Sequence, residues 1–191
     1  MPRFSAGDKA ADFELPDLEG RGFHLSSITG KRYHLAFFRF ASCPFCNLRV
    51  NSLVKAAGDG RFGKVGEDFT IVAVFDSPLK NLQRYATRHD APFPILADEG
   101  GVIHEEWGRE ISWIGVLKGM FGRIGTLMKS MFARGFLPTS LKGKFAGMPM
   151  GFLIDEKGII REAYYGKDEG DHMPIDRVEA FASGGLSRFT I

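Results

Sequence analysis

The chain has 191 residues, 44% of them apolar and 25% charged, with a net charge of only +2. That balance is ordinary for a folded globular domain, and the small net charge speaks against a nucleic-acid binder. No stretch reaches the ~18 uninterrupted apolar residues of a membrane span, and the start, MPRFSAGDKAADF, lacks the pattern of a secretory signal. A single domain over residues 1–191 is expected, in the cytoplasm, with an aromatic-rich core because 18 phenylalanines are present.

In chain order, Asp12–Leu15 and Phe23–Leu25 alternate on either side of a glycine-containing turn, which predicts a short N-terminal β-hairpin. Arg32–Phe40 follows as a long strand, with Leu35, Ala36, Phe37 and Phe38 as its apolar run. A helix then starts at Pro44 and fades around Gly58 or Gly60. Phe69–Phe75 is apolar and β-branched, which predicts a second buried strand. Ser77 and Pro78 read as N-cap and first position of a helix through Leu79, Leu82, Tyr85 and Ala86. A short extended piece, Ala91–Asp98, precedes a helix near Val102–Trp107 that stops at Gly108. Met150–Ile154 and Ile159–Tyr164 flank Asp155-Glu156-Lys157-Gly158 as an antiparallel hairpin, and Asp176–Phe181 is a last amphipathic helix. Strands alternating with helices predict an α/β layer fold.

The chemistry concentrates at Cys43-Pro44-Phe45-Cys46, which holds the only two cysteines. Proline suits the first helical position, where its missing N–H would be unpaired anyway. Cys43 then falls at the N-cap and Cys46 at the third helical position, on one side of the helix. Free N–H groups and the helix dipole favour a thiolate there. Structural zinc needs four ligands; there is no second CxxC, and the five histidines are scattered. A strand–CxxC–helix context points to a redox pair instead. Cys43, nearer the helix start, is expected to be the more exposed and to attack; Cys46 would resolve. Arg39 and Arg49 are the nearest cations in sequence and are candidates to assist the thiolate, although either position also suits a solvated or paired surface arginine. No metal or cofactor is expected.

Several words along the chain carry a resemblance. They are Gly7–Leu15, Phe38–Cys46, Pro94-Ile95-Leu96-Ala97-Asp98 and Phe152–Gly158. Together, in this order, they resemble the redoxin branch of the thioredoxin superfamily: the peroxiredoxins (alkyl hydroperoxide reductase/thiol-specific antioxidant family) and peroxiredoxin-like proteins. The resemblance implies a thioredoxin-like fold, with a central mixed β-sheet flanked by helices. It also implies a thiol reductant of thioredoxin or glutathione type as partner. Two departures matter. The family's PxxxTxxC signature, whose threonine helps bind peroxide, reads Ala36 and Phe40 at the proline and threonine positions. The activating arginine expected shortly before the Phe152–Asp155 strand is missing from Gly147-Met148-Pro149-Met150. Met148-Pro149 instead resembles the cis-proline of thioredoxins, which faces the CxxC. A cis bond there is expected, with Pro44, Phe45, Met148 and Pro149 lining the substrate site. A trans proline starting an edge strand is the alternative.

Two reactions fit a cycling Cys43–Cys46 pair: exchange with a disulfide, and attack on a hydroperoxide followed by condensation. The missing threonine and arginine argue against fast peroxidase chemistry. A reading of another class is a thioredoxin-fold adaptor whose CxxC no longer turns over.

Residues 111–146 match the family poorly. Lys118, Arg123, Lys129, Arg134, Lys142 and Lys144 meet no acidic residue there, so the rest of the chain carries −4. Trp113, Leu117, Met120, Phe121, Ile124, Leu127, Met128 and Met131 recur at helical spacing. A basic amphipathic helical insert is expected. It would pack on the sheet, form a homodimer contact or lid, or touch an anionic membrane surface peripherally.

Overall fold

The computed structural model describes residues 3–114, 117 and 146–185. Most of the basic insert therefore lies outside the described residues, together with the three roles expected for it.

The predicted hairpin is present as β1 (Glu14–Pro16) and β2 (Gly22–His24), antiparallel, with Leu15 opposite Phe23. Asp17 shapes its turn: one carboxylate oxygen accepts the N–H groups of Glu19 and Arg21. The main sheet contains β3 (Arg32–Phe38), β4 (Phe69–Phe75), β5 (Ile95–Ala97), β6 (Met150–Ile154) and β7 (Ile160–Tyr165), in the order β5-β4-β3-β6-β7. β3, β4 and β5 are parallel, whereas β6 runs antiparallel to β3 and β7 antiparallel to β6. The sheet is thus mixed, as expected.

β3 lies in the middle, which is why its sequence is apolar without alternation: both of its faces are covered. Ala36 and Phe38 point into a core shared with α1 (Pro44–Gly58), α2 (Leu79–Ala86) and α4 (Ile175–Ala182). Leu35 and Phe37 point the other way, into a core that includes Trp107, just beyond the short helix α3 (Val102–Glu106). Trp107 is wholly buried among the rings of Phe4, Phe13, Phe37 and Phe152, with centroids 4.7–6.4 Å away. The phenylalanine-rich composition does supply an aromatic core.

Local departures from the sequence reading have identifiable causes. β3 stops at Phe38, two residues early, because the chain turns: the Cys43 N–H donates to the Phe40 carbonyl at 2.9 Å. Pro78, not Ser77, is the N-cap of α2, since Pro78 is still extended (ψ 142°) and its carbonyl accepts the first helical N–H groups, those of Asn81 and Leu82. Ser77 is buried and accepts a hydrogen bond from the Asn81 amide at 3.0 Å. β7 runs one residue later than expected, with a register shift at Leu153/Ile154.

The two ends of the insert meet. Ile111 bridges Gly147 in antiparallel fashion, the Ser112 N–H donates to Ala146 at 2.9 Å, and the Met148 N–H donates to Glu110 at 2.8 Å. Beyond that pairing Trp113 and Leu117, two residues of the expected apolar stripe, are exposed.

Two buried polar clusters brace the sheet end nearest the cysteines. Asp98 accepts the backbone N–H of His104 at 2.9 Å and its Nδ1–H at 2.6 Å, while His104 Nε2 donates to the Phe38 carbonyl at 2.8 Å. Asp76 and Arg109, both almost fully buried, pair at 2.6 Å. Gly101 (φ +68°) makes room for them: a Cβ there would lie 2.6 Å from Arg109 Nη2 and 2.9 Å from Asp76 Oδ2. Arg109→Leu is expected to cost about 3–5 kcal/mol, because it strands the Asp76 charge in the core. Urea denaturation checks this.

Stability should also fall with acid. Burial first, then Arg49, brings His34 down to about 3. Burial first, then Arg88, brings His89 down to about 4. In the unfolded chain both titrate near ~6.5, so between those values the unfolded state binds more protons and gains on the folded state as pH drops. Stability is expected to be fully retained above that window and to decline steadily as pH falls towards 4, with His34 continuing the loss to about 3. Thermal melts across pH 7.5 to 4 read the slope; a flat profile would contradict the buried-neutral assignment.

Candidate active site

The site begins where β3 runs out. Arg39 to Ser42 carry the chain from the sheet to α1, and all four are buried. Cys43 is the N-cap of α1 with extended backbone (φ −62°, ψ 119°), Pro44 is its first residue and Cys46 its third. Both cysteines are free thiols.

Their surroundings separate them electrically. Burial pushes the Cys43 thiol up, but three influences outweigh it. The Cys46 thiol hydrogen-bonds to it, the Arg39 guanidinium faces it, and the N–H groups of Cys46 and Phe45 attract it without closing a capping hydrogen bond. The result is about 6. Cys46 is driven the opposite way, by burial and by the developing charge on Cys43. One proton is therefore held between two sulfurs, and it resides on Cys46.

Of the two candidate arginines, Arg39 is the one that meets Cys43. It is 4% exposed, and its Nη1 donates to Cys43 Sγ at 3.8 Å. Its guanidinium also lies over the Phe40 ring at 5.2 Å. Arg49 is elsewhere: its guanidinium donates to the Met173 carbonyl. Six residues along a helix is a turn and two-thirds, so Arg49 leaves from another face. Burial first lowers Arg49 to about 10, with Asp176 and Tyr164 nearby in opposition.

Two expectations need correction. Cys43 is not the more exposed thiol; both sulfurs are fully buried, because α1 enters the core at its N-terminus rather than along the surface. The Met148–Pro149 bond is trans, as no cis peptide occurs among the described residues. The antiparallel pairing of Met148 with Glu110, and the Pro149 carbonyl accepting from Gly166 at 2.9 Å, hold an ordinary extended entry into β6. Pro44, Phe45, Met148 and Pro149 are all buried.

Sequence reasoning missed Asn47 and His89. The Asn47 amide donates to the carbonyls of Ala41 and Cys43, each at 2.8 Å, and its oxygen accepts from His89 Nε2 at 2.9 Å. Asn47 lies one residue past the motif and was legible as a polar residue in an apolar turn. His89 gave no signal, being 42 residues away.

The AhpC/TSA family model matches residues 6–163. The chain belongs to the AhpC/TSA family. Among curated relatives, the "Thiol-disulfide oxidoreductase ResA" of Halalkalibacterium halodurans is 31% identical over 104 residues, covering 54% of this chain and 56% of the relative. "Peroxiredoxin Q, chloroplastic" of Sedum lineare is 26% identical over 117 residues, covering 61% of each. The chain thus aligns with between half and two-thirds of the length of these AhpC/TSA relatives. Among solved structures, the peroxidoxin BcpB of Mycobacterium tuberculosis superposes with a TM-score of 0.67 at 19% identity, over 95% of this chain and 98% of that one. The fold is thioredoxin-like.

Iodoacetamide alkylation of Cys43 in the AhpC/TSA site should rise with pH about a midpoint near 6. Arg39→Gln removes an attraction and should move that midpoint up, as should Cys46→Ala, whereas Arg49→Gln should leave it in place. Alkylation rates of each variant against pH make the comparison.

Proposed function

We propose that this chain is a thiol-disulfide oxidoreductase that cycles a Cys43–Cys46 disulfide. The observation that carries the reading is the convergence on Cys43 Sγ of the Cys46 thiol and the Arg39 guanidinium at the start of α1. The two kinds of curated relative support a thiol reaction in general.

The steps balance as follows. The Cys43 thiolate attacks a substrate disulfide, forming a Cys43–substrate disulfide and releasing one substrate thiolate. Cys46 gives up its proton, attacks Cys43 Sγ, closes Cys43–Cys46 and releases the second substrate thiolate. The substrate gains two electrons, and the protein loses two. An external dithiol of thioredoxin type, or two glutathione-type thiols, restores the pair. Because both sulfurs are closed to solvent, reaction passes through a local opening of the buried turn.

Hydroperoxide is the alternative oxidant: attack gives a Cys43 sulfenic acid and an alcohol or water, and Cys46 condenses with loss of water. Arg39 supplies the positive charge such a reaction needs. Phe40, in the place of the family's threonine, offers no hydroxyl to the peroxide, which favours disulfides as the faster oxidants. The cytoplasm is the proposed location, supported by a chain whose only cysteines form one cycling pair. No helix among the described residues is long and apolar enough to cross a membrane.

Reduced protein should reduce a small disulfide such as 5,5′-dithiobis(2-nitrobenzoate) faster than it consumes hydrogen peroxide, and Cys43→Ser should abolish both. Cys46→Ser should stop after one step, leaving a mixed disulfide on Cys43 visible by mass spectrometry. Peroxide turnover that outpaces disulfide reduction would move the assignment to a thiol peroxidase. A pair that dithiothreitol and a mild oxidant cannot cycle would leave the adaptor reading.

A further inference from the structure

We infer that Asn47 and His89 are positioning residues for Cys43, clamping the Ala41–Cys43 turn so that its sulfur meets Arg39 and the first turn of α1. The inference rests on the proposed function and adds residues to the same site. Each atom of the clamp has one assignment. Both Asn47 Nδ2 hydrogens are taken by carbonyls, Ala41 and Cys43, at 2.8 Å each. Flipping the amide would set its oxygen against two carbonyl oxygens, so the orientation is fixed by repulsion as well as attraction. The Asn47 oxygen is therefore the acceptor towards His89, and Nε2 of His89 carries the hydrogen it donates at 2.9 Å.

Asn47 is 1% exposed and His89 8% exposed, so water does not compete for these bonds. Losing the Asn47 side chain would take the donor from the buried Ala41 carbonyl. The Cys43 carbonyl also receives the Asn47 backbone N–H at 3.0 Å, which is ordinary helix geometry. The Ala41 carbonyl is different. It precedes the helix, and the Asn47 side chain is what reaches back to it. His89 sits on the 3-10 turn Thr87–His89 after α2, so the clamp ties the cysteine turn to an element remote in sequence.

The backbone angles of residues 41–43 decide where Cys43 Sγ points. A turn released from Asn47 can rotate the sulfur away from the Arg39 guanidinium, at 3.8 Å the side-chain cation found against it. The titratable and charged groups in play are Arg39 and Cys46 towards Cys43, and Arg88 towards His89.

The test is the pH profile of Cys43 alkylation and the reduction potential of the Cys43–Cys46 pair, each read beside global stability. Asn47→Ala and His89→Leu are expected to raise the alkylation midpoint by roughly one pH unit, which cuts the thiolate fraction near pH 5 by about tenfold. The pair should become less oxidising in the same variants, since its reduced form loses thiolate stabilisation. His89→Gln can present an N–H at similar reach, and its profile should stay close to the wild type. If Asn47→Ala does not fold, the two His89 variants carry the comparison. Unchanged midpoint and potential in His89→Leu, with only a lower unfolding midpoint, would overturn the inference and leave the clamp a packing contact. A wild-type chain with no thiol titrating below the ordinary cysteine range fails the proposed function first, and this inference with it.

Discussion

At Phe38 the central strand stops while still inside the core, and its carbonyl needs donors there. His104 Nε2 supplies one at 2.8 Å, and the Asp76 N–H approaches at 3.3 Å. Asp98 holds the His104 ring in place through Nδ1, and Asp76 is held in place by Arg109. An unmatched carbonyl at this depth costs about 1–3 kcal/mol, so these partners fix where β3 ends. The next residue is Arg39, and four further on is Cys43. The position of the guanidinium against the sulfur is inherited from how the strand is terminated.

The reactive turn solves a problem of solvation. A thiolate taken wholly out of water is penalised by burial, and burial is the largest influence on both sulfurs. The site offsets it with a guanidinium, a neighbouring thiol and the N–H groups of one helix start. That arrangement stabilises one negative charge and cannot stabilise two, which is why the second sulfur keeps its proton. The opposite shifts of the two thiols follow from having a single set of donors. They do not require the two cysteines to differ in exposure.

Much of the frame was legible in the sequence because its signals are local. Phe69–Phe75 reads as a buried strand from seven consecutive apolar or β-branched positions, and it is one. Pro44 announces the start of α1, and Gly58 marks its end. Boundaries failed by a residue or two where a turn outranks propensity, as at Phe38 and Pro78. The sequence places the cysteine pair at the start of α1, where the structure has it. It does not separate Arg39 from Arg49, which flank the pair on either side; only the turn before α1 and the rotation of the helix set Arg39 against Cys43 and Arg49 against Met173. The bond at Met148–Pro149 was misjudged because a proline before a strand has the same sequence in either isomer. His89 was invisible because its partner comes from another part of the chain.

The pairing of residues 110–112 with 146–148 has a bearing on how this chain tolerates change. Ser112 and Ala146 are 34 positions apart in the sequence, yet that pairing sets them side by side near the entry to β6. The entry to β6 is thus held by a segment that follows α3 in the chain, so a change in residues 110–112 reaches the strand that pairs with β3.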